Sequence, residues 1–157
     1  MVGDCLRSGT SVNLVVSSGV RWRPLIDQAL VSSAITCPLL YLSDGAMTTR
    51  RSFIESILKA LGDNTTVHRS EDLVTLSNII KRRNNTSLVL LDFDWVKGRR
   101  SYDKDLHGTL RFLIRHERKL TLLVQSHAPF SDILPGAEFN SEDFLRQIDL
   151  SIVVAQP

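Results

Sequence analysis

The chain has 157 residues, of which 43% are hydrophobic and 23% charged, and its formal net charge is +2. Those totals suit one soluble globular domain over residues 1–157 with a single core, and so small a charge does not by itself argue for nucleic acid. Two cysteines, Cys5 and Cys37, are too few for a disulfide framework or a cysteine metal site, and no apolar run approaches the ~18 residues of a membrane span.

The expectation is an intracellular protein of cytoplasm or nucleus with two reduced thiols. Met1 to Thr10 has no apolar stretch of the secretory kind. Without such a leader, the glycosylation triplets at Asn64, Asn84 and Asn85 are chance matches.

Strands and helices alternate along the chain. Val12-Asn13-Leu14-Val15-Val16 reads as a buried strand. Pro24 suits the first turn of a helix that carries Leu25, Ile26, Ala29 and Leu30 on one face. Pro38 to Leu42 is a second strand. Thr49 can cap a helix bearing Phe53, Ile54, Ile57, Leu58 and Leu61, and Gly62 stops it. Ser70 can cap another, with Leu73, Leu76, Ile79 and Ile80 inside. Leu88 to Leu91 form a third strand, Asp103 to Arg118 a helix, and Leu120 to Val124 a fourth strand. Residues 128–140 read as the longest irregular segment. Ser141 caps a short helix, and Leu150 to Val154 form a fifth strand. Continuous apolar strands between amphipathic helices predict an α/β fold: a mostly parallel sheet of about five strands, covered on both faces.

In open parallel sheets, ligands sit beyond the carboxyl ends of the strands. That edge collects Ser17, Ser18, Gly19, Arg21 and Arg23 after the first strand. It collects Ser43, Asp44, Thr48, Arg50 and Arg51 after the second. Asp92, Asp94, Lys97, Arg99 and Arg100 follow the third, and Gln125, Ser126 and His127 the fourth. Arg21, Arg23, Arg50, Arg51, Lys97, Arg99 and Arg100 make the edge basic although the whole chain is nearly neutral. Guanidinium suits phosphate by geometry and permanent charge, so these seven are the candidate nucleic-acid contacts. The competing explanation is solvated loop charge paired with Asp44, Asp94 and Asp103.

The strand Ser87-Leu88-Val89-Leu90-Leu91 ends in Asp92, where a phosphate-loop ATPase places its magnesium-holding acid. The companion loop is missing. Ser17-Ser18-Gly19-Val20-Arg21-Trp22-Arg23-Pro24 has one glycine, no lysine, and a proline at the helix start. It is about two residues too short to wrap a triphosphate in the G-x-x-x-x-G-K-[ST] manner. Ser17, Ser18, Gly19 and Asp92 therefore mark a degenerate nucleotide site, with no catalytic residue and no cofactor expected, residual ATP or magnesium binding included.

A second chemistry rests on Asp92-Phe93-Asp94-Trp95-Val96, which matches the D-x-D-x-[TV] pair of haloacid-dehalogenase-type phosphatases. There Asp92 would be nucleophile and Asp94 general acid. That scheme also needs a later lysine, and none follows Ser126. His68, His107, His116 and His127 have no metal-ligand spacing. Trp22 and Trp95 fall on site-edge loops, where they could stack bases or anchor a subunit interface.

The order of parts resembles the RecA-like ATPase core: Leu14-Val15-Val16-Ser17, then Leu39 to Ser43, the Asp92 strand, Leu120 to His127 ending in a polar sensor, and Ile148 to Val153. The short loop running into Arg23-Pro24-Leu25-Ile26-Asp27-Gln28-Ala29-Leu30 resembles the accessory subunits of the Elongator complex, which form a RecA-like ring contacting tRNA. Asp105 to Phe130 resembles those subunits or the divergent recombinase paralogues, Shu-type proteins included. A weaker likeness is to transposition-type AAA ATPases. The resemblance implies a pseudo-ATPase subunit with other RecA-like subunits as partners, and tRNA or single-stranded DNA as the nucleic acid.

Overall fold

The structure is a computed structural model that describes residues 1–134 and 150–155. Its strands are β1 (Val12–Val16), β2 (Leu39–Tyr41), β3 (Thr86–Leu91), β4 (Leu120–Ser126) and β5 (Leu150–Val154). They form one sheet in the order β2-β3-β4-β1-β5, and every pairing is parallel. The helices are α1 (Val2–Arg7), α2 (Arg23–Ser33), α3 (Arg50–Ala60), α4 (Asp72–Arg82), α5 (Lys104–Arg111) and α6 (Phe130–Ile133). No helix among the described residues is long and apolar enough to cross a membrane.

Alternation along the strands divides the core in two, because successive side chains point to opposite faces. Leu88, Leu90, Leu120, Leu122 and Val124 point one way, into a cluster with Phe53, Ile57, Leu76, Ile80, Leu106 and Leu110 from α3, α4 and α5. Val12, Leu14, Val16, Val89, Leu91 and Leu123 point the other way, against Leu6 and Ile26 from α1 and α2. The helix after β1 thus lies on one face, while those after β2, β3 and β4 lie on the other. Since β1 and β4 are neighbours, the sheet reverses its winding between them. That is where an open α/β sheet leaves a crevice for a ligand.

Local chemistry sets the helix starts. Thr49 accepts from the Ser52 N–H at 3.1 Å while the Ser52 hydroxyl receives the Thr49 N–H, a reciprocal cap worth about 1 kcal/mol. Asp103 caps α5 by accepting from Leu106 N–H at 3.0 Å. Three expectations need adjusting. Ser70 does not cap α4, which begins at Asp72 after Glu71. The helix expected from Asp103 to Arg118 is α only over Lys104–Arg111 and widens into a π-helical turn over Phe112–His116. The segment expected to be irregular contains α6, whose Phe130 and Ile133 are buried. The expected Ser141 helix lies outside the described residues.

Helix α1 packs against α2 through Gly3. A methyl group there would stand 2.2 Å from the Ser32 hydroxyl and 2.9 Å from the Ala29 carbonyl oxygen.

Candidate nucleic-acid interface at the carboxyl edge

The loop after β1 is closed on itself. Val20 N–H donates to Ser17 carbonyl oxygen at 3.1 Å, making a turn with Gly19 at φ 93°, a conformation only glycine adopts cheaply. Ser17 N–H is spent on Val154 of β5 at 2.9 Å. Pro24 has no N–H, and Leu25 N–H donates back to Trp22 at 3.0 Å. A phosphate cradle consists of backbone N–H groups pointing outward. Here those of Ser17, Val20 and Leu25 are engaged within the protein and Pro24 has none, so these four positions offer a phosphate no backbone donor.

Across the crevice, β3 and β4 end in a rigid polar cluster. Asp92 sits in the left-handed region at φ 55°, its carboxylate accepting from the Ser43 hydroxyl at 2.6 Å. Its N–H donates to the side-chain oxygen of Gln125, a fully buried residue, at 3.0 Å. Asp94 uses one carboxylate oxygen on the His127 N–H at 2.7 Å and the other on the Ala128 N–H at 2.9 Å. The His127 ring Nδ1 lies 2.8 Å from the Val16 carbonyl oxygen. His127 therefore ties the end of β4 to the end of β1, at the crevice itself. Both oxygens of Asp94 serve to hold this loop.

The seven basic residues do not form one patch. Arg23 turns to Asp27 at 3.0 Å and to the Tyr41 hydroxyl. Arg21 is exposed and does not line the cavity described below. Arg50 donates Nε to Asp72 and a terminal nitrogen to Asp103, each at 2.8 Å. These bonds, the one to Asp72 foremost, raise the Arg50 pKa above its ordinary value. Arg50 is the first residue of α3, where the helix dipole disfavours a cation, and the two carboxylates offset that. Arg51 pairs with Glu55 at 2.7 Å on the wet face of α3. Arg99 donates to the Met47 carbonyl oxygen at 3.0 Å and lies near the Trp95 and Tyr102 rings. The buried Tyr102 hydroxyl donates to the same carbonyl at 2.5 Å, and burial pushes its pKa up to about 12.

Arg50, Arg51 and Arg100 do come together, with Arg69, around a cavity of about 560 Å³ that Asp72 and Asp103 also line. Four guanidiniums face two carboxylates there. Among the described residues, Arg69 and Arg100 have no ion-pair partner. Sequence reasoning missed Arg69, because it precedes α4 instead of following a strand. A larger cavity of about 780 Å³ lies at the opposite, amino edge, beside Gly9, Asn85 and Thr121. That cavity is basic too, through Arg7, Arg115 and Arg118, so position at the carboxyl edge, where ligands of open parallel sheets sit, makes the smaller cavity the candidate site.

No protein-family model matches the chain, and no curated protein matches it either. Solved structures do. Over 96% of its length it superposes on a chain of Drosophila ORC bound to GC-rich DNA and Cdc6, with a TM-score of 0.63 and 14% identity, spanning 51% of that chain. Against Cdc6p from Pyrobaculum aerophilum the values are 97% of this chain, 41% of the other, TM-score 0.62 and 16% identity. Against Aeropyrum pernix ORC1 in complex with DNA they are 97%, 42%, 0.60 and 14%. The chain spans about half or less of each of these relatives. Identities this low speak to architecture alone. The five-stranded parallel sheet, helices on both faces and these neighbours give the chain the P-loop NTPase type of α/β fold.

Proposed function

We propose that the chain is a non-catalytic subunit of a multiprotein assembly acting on nucleic acid, and that it grips the phosphate backbone at the arginine-lined cavity. The cavity carries this reading: Arg69 and Arg100, with no ion-pair partner among the described residues, add charge that Asp72 and Asp103, already engaged by Arg50, do not neutralise, and Arg51 lines it too while pairing with Glu55. Guanidinium binds phosphate through paired, planar donors, and such contacts supply most of sequence-independent affinity. The absence of hydrolysis is supported by the short Ser17–Val20 turn, which turns Ser17 and Val20 N–H inward and carries no phosphate-binding lysine.

Within this reading, an Elongator-type accessory role in tRNA modification is the first form. It rests on the short loop and the Arg23 to Leu30 segment, with other RecA-like subunits as partners. A recombinase-paralogue role in DNA repair is the alternative, and it gains from the DNA-bound ORC chains that share the fold. The phosphatase alternative loses support because both oxygens of Asp94 hold the loop after β4.

The test is charge reversal of Arg51, Arg69 and Arg100 to Glu in the full chain, read by fluorescence anisotropy on labelled RNA and DNA at low salt. Arg50 is left intact because its ion pairs hold the fold. Affinity should fall at least about tenfold for every sequence, and the salt dependence should flatten. Unchanged affinity and salt slope would refute the cavity as the phosphate site.

A further inference from the structure

Trp95 is 56% exposed, a costly place for the largest apolar side chain. The other tryptophan, Trp22, packs against the core cluster on the α2 face. Trp95 is also held firmly. It lies in a 3-10 turn, Phe93–Val96, whose two ends are buried at 3% and 2% exposure. Its N–H donates to Asp92 carbonyl oxygen at 3.1 Å, and Asp92 is itself fixed by Ser43 and Gln125. The ring is thus presented from a rigid base, which keeps the ordering cost of binding small.

The surroundings specify the occupant. Arg99 lies over the ring, 5.8 Å from its centroid, and is tethered to the Met47 carbonyl oxygen. Lys97 and Arg100 are exposed within the next five positions, and among the described residues neither has an ion-pair partner. A protein partner would seat a tryptophan anchor in an uncharged interface centre. The occupant that suits Trp95 must carry negative charge and offer a flat π-face. A duplex has the charge, but its base faces are already stacked on one another. An unpaired nucleotide has both.

We infer that Trp95, backed by Arg99, is a stacking platform for an unpaired base, so that this edge prefers single-stranded nucleic acid to duplex. The inference rests on the nucleic-acid reading of the cavity that Arg100 joins to the Trp95 turn. Stacking on an aromatic is tolerant of sequence, so the platform selects for strandedness and not for a particular base.

Two tryptophans make the test direct. Emission is titrated with an oligothymidine of about 20 nucleotides, and separately with a hairpin duplex of equal charge, at low salt. The full chain is compared with Trp22→Phe and Trp95→Ala. The oligothymidine should quench emission in wild type and in Trp22→Phe. Trp95→Ala should lose the quench and bind the oligothymidine about tenfold more weakly, with duplex affinity unchanged within about twofold. Duplex bound as tightly as single strand by wild type would overturn the inference, as would single-strand affinity indifferent to Trp95→Ala; the backbone reading would survive either result. Failure to bind both nucleic acids would bring down both readings. A Trp95→Ala variant that loses binding to single strand and duplex alike would place Trp95 in the framework of the site, and that too overturns the platform.

Discussion

Two stretches of the same carboxyl edge treat their polar groups in opposite ways. After β1, the loop of residues 17–22 closes on its own backbone through Val20 N–H to Ser17 and on β5 through Ser17 N–H to Val154, with Gly19 at positive φ in the turn. After β2 and β3, the segments of residues 43–50 and 92–103 are joined by side chains: Ser43 to Asp92, Arg50 to Asp103, Arg99 and Tyr102 to Met47. The first stretch is held by backbone bonds. The second uses part of its charge for structure and leaves the rest facing a cavity. What a strand-end loop can bind depends on which of its donors are already taken, more than on where it sits in the fold.

The sharpest way to break this comparison is Arg50→Met. Asp72 is only 3% exposed, and the variant strands its carboxylate while removing a link between α3, α4 and α5. Breaking one side of a largely buried pair costs about 3 kcal/mol. Urea unfolding should show a loss of that size, and a loss below about 0.5 kcal/mol would make the network surface decoration.

His107 gives the next effect. It is buried one turn into α5, and burial pulls its pKa down from 6.5 to about 4. Between those values the unfolded chain takes up a proton that the folded chain refuses, so stability rises with pH across the window. Acidification from pH 7 towards 4 should therefore remove about 2 to 3 kcal/mol through this group alone. Other carboxylates also weaken the fold in acid, so the measurement is the difference between wild type and His107→Leu. Parallel pH profiles for the two would sink the assignment.

Gly19→Ala probes the closed loop. A side chain at φ 93° is strained, and a loss of about 1 kcal/mol is expected in the same unfolding assay. A neutral result would mean that the turn relaxes freely, so its closure would not be fixed.

The contrast between the two stretches also explains what could be read from the chain. The bounds of β1 and β5 agree with the expected Val12–Val16 and Leu150–Val154: β1 is an apolar run buried on both faces, and β5 is an apolar edge strand beside it. The start of α3 was legible because Thr49 and Ser52 carry their capping within four residues. Helix α1 was not, since six residues do not make a stable helix alone and its support is the Gly3 contact with α2. At the site, the acid ending β3 was visible as an apolar run meeting Asp92. The fate of Arg50 was hidden, because its partners lie 22 and 53 positions away. Arg69 was hidden for a related reason: the return of the chain from α3 to α4 brings it to an edge it does not adjoin in sequence.

Arg21 supplies the smallest expected effect and separates the two stretches most cleanly. It was one of seven basic residues read as a single edge, yet it belongs to the closed loop and does not line the arginine cavity. Being exposed and without an ion-pair partner among the described residues, it should cost less than about 0.5 kcal/mol of stability when changed to Ala. If the cavity holds the phosphates, Arg21→Ala should change low-salt affinity by less than about twofold, whereas Arg100→Ala removes a direct contact and lowers the salt slope by about one. Equal losses from the two variants would mean that the nucleic acid runs along the whole edge and crosses the His127 tie between β4 and β1. The closed loop would then be part of the track, bound through the Arg21 side chain.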